Sequence, residues 1–447
     1  MNHKVLIAMS GGVDSSVAAA LMMKKGDKCI GCTMKLLNQE DGAFSGEGAC
    51  GSSDACQASD AIDLTGSAVR MNGRAEEASA PGNPHACCSL DDVEDARSVA
   101  RKLGMPYYVF NFAEDFGEKV IDRFVRIYQS GGTPNPCIDC NRYMKFEKLF
   151  RRARELGCDA VVTGHYARIR YEEESGRWQL LRSKNPDKDQ TYVLYSMTQE
   201  QLAHTIFPLG EYPDKGEVRR MAEEYGFVNS HKPDSQDICF VRSGTYADFI
   251  ERRTGRAAPH GAFVDEDGNV LGEHRGLIRY TIGQRRGLGL SLPAPLYVQR
   301  IDPQKNQVVL TPEDRLFSRR LIAEDFNWIW TSDWGKWESP AGEASGRMQS
   351  GREGTGQESA DGKNAGREYA EPGRSGQEPP AGYTCLITAK PRYRAKEAPA
   401  TARVLEGGKV EIIFHEPQRA LTAGQAIVLY QGESVAGGGT ICEVLTG

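Results

Sequence analysis

Lys4-Val5-Leu6-Ile7-Ala8-Met9, followed at once by Ser10-Gly11-Gly12-Val13-Asp14-Ser15-Ser16, is the stretch that decides how this chain folds. Its continuous apolar run suits a strand buried on both faces. Val17, Ala20 and Leu21 then recur at helical spacing, and Gly26 stops the helix. A glycine-rich loop between strand and helix lets the backbone fold closely around phosphate oxygens. Consecutive N–H groups, the helix N-terminus and the serine hydroxyls supply the donors. A pyrophosphate or ATP tail is the expected guest. The loop lacks the Gly-Lys-Ser/Thr ending of motor ATPases and GTPases, which excludes that class.

Working outward, strands and helices keep alternating. Cys29–Met34, Tyr107–Asn111 and Ala160–Thr163 read as strands. A helix starts at the capping pair Ser89 and Asp92 and carries Leu90, Val93, Ala96, Val99 and Leu103 on one face. A second runs through Phe116, Val120, Phe124 and Ile127, and a third through Phe146, Leu149, Phe150, Ala153 and Leu156. This alternation predicts an α/β doubly wound parallel sheet with its ligand at the carboxyl ends of the strands. Beyond a helix at Gly216–Tyr225, the chain turns to short strands. These are Tyr297–Ile301, Gln307–Thr311, Thr384–Lys390, a hairpin across Ala402–Phe414, Ala426–Gln431 and Thr440–Leu445, the pattern of a small β-barrel. Two stretches break the order: 38–85, and 335–382 with its eleven glycines and recurring Gly-Arg pairs. Both read as insertions too poor in apolar residues to offset their ordering entropy. The expected organisation is a nucleotide-binding catalytic domain over 1–205, a small central domain over 206–293 and a C-terminal β-barrel over 294–447.

A chain of 447 residues is too long for one core, and 39% hydrophobic with 26% charged residues is a soluble composition without a membrane-spanning run. No secretory leader precedes the glycine loop, so a cytoplasmic location is expected. The net charge of −6 argues against non-specific coating of nucleic acid. Two basic patches stand out all the same: Arg142, Lys145, Lys148, Arg151, Arg152 and Arg154, and the run Lys390–Lys396. Each fits either an RNA contact or a solvated face. Twelve cysteines are too few for a disulfide scaffold and point to reduced, reactive or metal-binding thiols. Cys50, Cys56, Cys87 and Cys88, in or beside the first insertion, receive no role.

Ser10–Ser16 resembles the pyrophosphatase loop of the N-type ATP pyrophosphatases, which split ATP between its α and β phosphates and adenylate an oxygen of their substrate. Within that group, Thr133-Pro134-Asn135-Pro136-Cys137-Ile138-Asp139-Cys140-Asn141-Arg142-Tyr143-Met144-Lys145-Phe146 and Ser235-Gln236-Asp237-Ile238-Cys239-Phe240 resemble the two cysteine motifs of the tRNA-specific 2-thiouridylases. Thr163–Ala167, Lys188–Tyr192, Gly283–Gly289 and Arg392–Arg394 are similar to further motifs of that family. The resemblance covers nearly the whole chain outside the insertions. It implies ATP-dependent 2-thiolation of the wobble uridine in lysine, glutamate and glutamine tRNAs. Such chemistry is intelligible: adenylation turns the uridine oxygen into a leaving group, and a cysteine persulfide delivers sulfur as a strong nucleophile.

The same resemblance implies the site. Cys239 carries the persulfide, and Cys140 is the nucleophile that forms a disulfide with it. Ala8, Met9, Ser10, Gly11, Gly12, Val13, Asp14, Ser15, Met34 and Gly164 hold ATP, with Asp14 a contact for Mg²⁺. Asn135, Pro136 and Cys137 lie near the target base, and His165, Lys188, Asp189, Gln190, Arg392, Tyr393 and Gln425 face tRNA. The implied partners are the anticodon arm of tRNA and a persulfide donor such as a cysteine desulfurase or sulfur-relay protein. One departure matters: Cys137 stands where many relatives carry Asp, which leaves the base for the uridine open. It also creates a Cys137-x-x-Cys140 pair that reads as a redox couple or, with Cys239, as a zinc or iron–sulfur site. An amide-forming ATP pyrophosphatase and a tRNA-binding protein without catalysis are the alternatives, though no glutaminase motif accompanies the first.

Overall fold

A computed structural model describes residues 3–37, 90–234, 238–241, 244–291, 294–334 and 378–445. The first insertion, the expected cap Ser89 and residues 335–377 of the second insertion lie outside the described residues. The expected strands form one parallel sheet: β1 (Lys4–Ala8), β2 (Lys28–Lys35), β3 (Tyr107–Asn111) and β4 (Ala160–Val162). Its order is β3-β2-β1-β4, extended beyond β4 by Thr205–Ile206, a two-residue strand too short to leave a periodic signal. The order reverses between β1 and β4, and that crevice is where such sheets bind ligands.

Alternate residues of β1 enter different cores, as a doubly covered strand requires. Leu6 packs with helices α3 (113–129) and α4 (136–155) through Phe116, Phe124, Met144 and Leu149. Val5 and Ile7 pack with α1 (Val13–Lys25) and α2 (Leu90–Leu103), and with the helix Lys215–Glu224. Gly26 ends α1 in the left-handed conformation, at φ 91°. Helices α3 and α4 each contain a π-helical segment, Gly117–Ile121 and Cys140–Lys148.

The central region holds more regular structure than its sequence pattern suggests. A helix, Tyr246–Thr254, is followed by the hairpin Gly261–Val264 and Val270–His274. Tyr297–Asp302 and Gln307–Thr311, expected in the C-terminal barrel, pair instead with this hairpin: Gln307–Thr311 lies parallel to Gly261–Val264. A hairpin of period two fits either sheet, and the Phe263, Val298, Val308 and Leu310 core decides between them. The expected boundary at 294 therefore falls inside a four-stranded sheet.

Six antiparallel strands make a closed barrel in the C-terminal part. Phe317–Trp328 closes it by pairing with both Val410–Arg419 and Ser434–Leu445, and Thr384–Lys390, Ala398–Val404 and Ala426–Gln431 complete the circuit. The closing strand escapes sequence reading because register shifts and the positive φ of Asp325, 49°, break its alternation. The barrel is joined to the nucleotide domain by a shared core of Tyr192, Leu194, Tyr195, Val428 and Tyr430. Tyr192 donates to the carbonyl of Ala426 at 2.8 Å, and Asn327 donates to those of Tyr195 and Met197 at 2.7 and 3.0 Å. This docking carries the 390–396 segment to the mouth of the sheet crevice.

Phe240, next to Cys239, is buried among Phe116, Phe124 and Phe249, with ring centroids 5.9, 5.1 and 5.1 Å away. Emptying that aromatic pocket forfeits transfer and packing energy together. Phe240→Ala is expected to lower stability by about 3–5 kcal/mol in urea unfolding, the range for an aromatic deletion in a core.

Candidate active site

The loop after β1 is built to present its backbone. Gly11 sits at φ 72°, where a Cβ would lie 2.3 Å from the carbonyl oxygen of Asp92, so only glycine fits. Asn229 donates to the Gly11 carbonyl and to the Ser16 hydroxyl, both at 2.9 Å. Ser15 and Ser16 both donate to the Gly12 carbonyl at 3.0 Å, and the Ser10 amide donates to Ser15 at 3.2 Å. The loop's acceptors are thus occupied internally, and the start of α1 faces a cavity of about 400 Å³. Every expected nucleotide residue lines this cavity except Gly11. Gly164, after β4, closes the other side: a Cβ there would stand 2.7 Å from both the Asp14 carbonyl carbon and the Ser15 nitrogen.

Charged groups beyond the expected ones, Lys215, Lys232 and Asp234, complete the walls. Lys215 bridges Asp14, at 3.1 Å, and Asp234; Lys188 and Arg219 also reach Asp234, at 3.0 and 3.2 Å. The lysines hold the Asp234 carboxyl below its usual pKa against the effect of burial. Tyr166 donates to Asp14 at 3.0 Å, and burial together with that carboxylate drives its phenol far above the usual range. Lys232 pairs with Asp92 and Asp95 at 2.6 and 2.7 Å. Asp14 and Lys215 lie far apart in sequence, so only the fold brings them together.

Of the residues expected to face RNA, His165, Lys188, Gln190 and Tyr393 line this same cavity, joined by Arg394. His165 is buried; Lys145 donates to its Nε2 at 3.2 Å, and its Nδ1 lies 2.6 Å from the Thr163 hydroxyl. Burial, then Lys145, pushes its pKa well below the usual histidine value, leaving a neutral ring. Gln190 accepts from the Tyr166 amide at 2.9 Å. Asp189, Arg392 and Gln425 stand outside the cavity. Asp189 accepts from Thr191 and from the Ser183 amide at 2.8 and 3.1 Å, organising its own turn. Arg392 donates to the Arg419 carbonyl at 3.2 Å, and Gln425 belongs to the barrel turn that meets Thr133 through Ala423. The 142–156 basic run is largely consumed by ion pairs: Arg142 with Asp325, Lys148 with Asp115, Arg152 with Glu155 and Arg154 with Glu200.

The thiols come from two elements. Asn135 caps α4 by accepting from the Cys137 amide at 3.2 Å, and Pro136 occupies the first turn. Cys137 is exposed and close enough to Tyr393 to raise its phenol pKa, after burial and Asp189. Cys140 and Cys239 are half-buried and pack on one apolar core. Among the described residues, no three His, Cys, Asp or Glu side chains are arranged to hold a metal ion, the three expected thiols included. Nor is any helix among them long and apolar enough to cross a membrane.

The fold and cavity define a nucleotide-binding α/β domain followed by two β modules. The family described as the tRNA methyl transferase HUP domain matches residues 3–71 and 58–243; its PRC-barrel domain matches 247–312, and the aminomethyltransferase beta-barrel domain matches 374–441. The tRNA-specific 2-thiouridylase MnmA of Clostridioides difficile is 41% identical over 441 residues, covering 99% of this chain and 98% of that protein. The protein of the same name from Moorella thermoacetica is 42% identical over 436 residues, covering 98% of each. The chain belongs to the family of tRNA-specific 2-thiouridylases.

Two substitutions probe this geometry. Gly164→Ala forces a Cβ into the Asp14–Ser15 peptide, and a misfit of about 1–3 kcal/mol is expected to weaken ATP binding by about fivefold or more in equilibrium titration. Asp139, buried between Cys137 and Cys140 in sequence, has its pKa raised to about 6 by burial, against the pull of Arg123 and Arg142. Its proton is held more tightly in the folded state, so its contribution to stability is fully present below about pH 4 and is lost as pH rises through 6. Asp139→Asn is therefore expected to gain on the wild type, by on the order of 2 kcal/mol, between pH 4 and pH 7.5 in urea unfolding.

Proposed function

We propose that this chain is a cytoplasmic enzyme that replaces the 2-oxygen of the wobble uridine in lysine, glutamate and glutamine tRNAs by sulfur, at the expense of ATP. The observation that carries this reading is a single cavity bounded by the Ser10–Ser16 loop, by Lys145 of α4, the helix that also carries Cys140, and by Tyr393 and Arg394 of the barrel. A nucleotide, an RNA base and a sulfur carrier can meet only where three such elements converge.

ATP lies with its polyphosphate against the start of α1, where loop N–H groups and the helix dipole favour anions. Asp14 would hold Mg²⁺ together with the substrate phosphates, and the ion would supply charge neutralisation there. The anticodon arm lies on Lys188, Arg392, Tyr393 and Arg394, with the target uridine toward Asn135–Cys137. Uridine O2 attacks the α-phosphorus, pyrophosphate departs with the electron pair of the broken P–O bond, and the N3 proton passes to water.

A persulfide-donating protein, a cysteine desulfurase or a relay protein, loads Cys239. The terminal sulfur of that persulfide attacks C2 and AMP leaves. The Cys140 thiolate then attacks Cys239 Sγ, breaking its bond to the transferred sulfur. 2-Thiouridine is released, and the Cys140–Cys239 disulfide is reopened by an external dithiol. The shared core under the two thiols suits such exchange. No step passes through a metal–thiolate centre.

Unmodified lysine, glutamate and glutamine tRNAs incubated with the protein, Mg-ATP and a persulfide donor are expected to yield 2-thiouridine in nucleoside mass spectrometry. Cys140→Ser and Cys239→Ser should abolish the product while pyrophosphate release persists. Asp14→Ala should abolish pyrophosphate release and leave RNA binding nearly unchanged. Pyrophosphate release without any thiouridine, in the presence of a competent donor, would refute the thiolation reading.

A further inference from the structure

The nucleotide cavity holds a cation for which the steps above have no use. Lys145 lines the cavity, yet it belongs to the helix that carries Cys140. Residues Cys140–Lys148 are π-helical, the geometry in which an amide bonds five residues back, as that of Leu149 does to the Met144 carbonyl. One such turn separates Lys145 from Cys140. π-Turns inside α-helices gather at functional sites, and this one leaves Met144 fully buried in the core and Lys145 in the cavity wall.

The environment of Lys145 differs from that of its neighbours. Lys188, Lys215 and Lys232 each pair with a carboxylate. Among the described residues no carboxylate pairs with Lys145, whose partner is the neutral ring of His165, 3.2 Å away. An ammonium can only donate, so His165 Nε2 accepts, and the ring's one N–H lies on Nδ1 and donates to Thr163 at 2.6 Å. Thr163 and His165 flank Gly164, which abuts the peptide between Asp14 and Ser15. The ring thus ties an uncompensated charge on the thiol helix to the wall of the phosphate cradle.

We propose that Lys145 is a catalytic residue of the activation step, its ammonium stabilising the charge that builds on the α-phosphoryl oxygens as the base attacks, with His165 as its positioning residue. This rests on the reaction proposed above. The O2–Pα bond forms, the bond from Pα to the bridging oxygen breaks with its electron pair leaving on pyrophosphate, and the N3 proton goes to water. Lys145 transfers no proton. Phosphoryl transfer leaves little covalent chemistry to a protein, so a fixed charge aimed at the developing one is the main device available.

The test is rapid-quench measurement of pyrophosphate release from saturating Mg-ATP and unmodified tRNA, with Kd for ATP and for tRNA measured separately and folding checked by Tm. Lys145→Ala is expected to slow release by about 100-fold or more, as loss of one preorganised donor does. Both Kd values should stay within about threefold, the signature of an interaction made in the transition state. Millimolar ethylammonium should restore at least about tenfold of the lost rate in Lys145→Ala and leave the wild type unchanged, and Lys145→Arg should retain part of the rate. A structural role would not respond to the amine. Release at the wild-type rate in Lys145→Ala, a loss confined to the Kd for ATP, or a loss that neither amine nor arginine repairs would overturn the proposal. A wild type that releases no pyrophosphate with any tRNA would overturn the thiolation reading and this proposal with it.

Discussion

Two loops have to touch for this site to exist. The strand order reverses between β1 and β4, which opens a crevice between them. The crevice becomes a cradle only because Gly164 comes within contact of the peptide joining Asp14 to Ser15. That apposition has consequences on both sides. It holds the N-terminus of α1 toward the cavity, and it fixes the direction in which Thr163 and His165 leave the sheet. The internal hydrogen bonds of Asn229, Ser15 and Ser16 occupy loop acceptors that would otherwise repel a polyphosphate.

Charge is arranged on the same principle of prior satisfaction. An acidic protein that handles two polyanions carries most of the cavity's cations already paired, with Asp234 shared by Lys188, Lys215 and Arg219. Pairing limits the desolvation cost of enclosed charges and keeps their long side chains ordered before a ligand arrives. Lys145 is held by an uncharged ring, and among the described residues no carboxylate compensates its charge. The basic run around it, which in sequence resembles an RNA patch, is for the most part a set of intramolecular ion pairs, so net charge along a segment says little about charge available to a partner.

The barrel acts through its docking. The hairpin Arg168–Glu172 and Arg177–Leu181 and the segment around Tyr192–Met197 give the nucleotide domain an apolar face that the barrel covers. Arg177 donates to the Ile329 carbonyl at 2.9 Å and stacks on the Trp334 ring, and burial lowers its pKa to about 10. With the barrel anchored there, Tyr393 meets Tyr192 edge to face and Lys390 lies over both rings, so the 390–396 segment reaches the nucleotide cavity.

Much of this was legible in the chain by itself, because some signals are local. A buried strand, a glycine loop and a helix start within 16 residues specify a phosphate cradle, since backbone geometry and N–H direction follow from those few residues. The alternation of strands and helices determined the doubly wound sheet, and the cysteine motifs determined the family. What only the tertiary structure decided depends on groups far apart in sequence. The partner sheet of Tyr297–Asp302 and Gln307–Thr311, the bulged strand that closes the barrel, the internal use of Asp189 and the Lys215–Asp14 bridge have no local signature. Lys145 carries the same lesson in one residue. Its sequence places it in a basic run, and only the packing of α4 against β4 and its loop sets it in the cavity wall beside His165, because a side chain's charge is worth what its surroundings leave uncompensated.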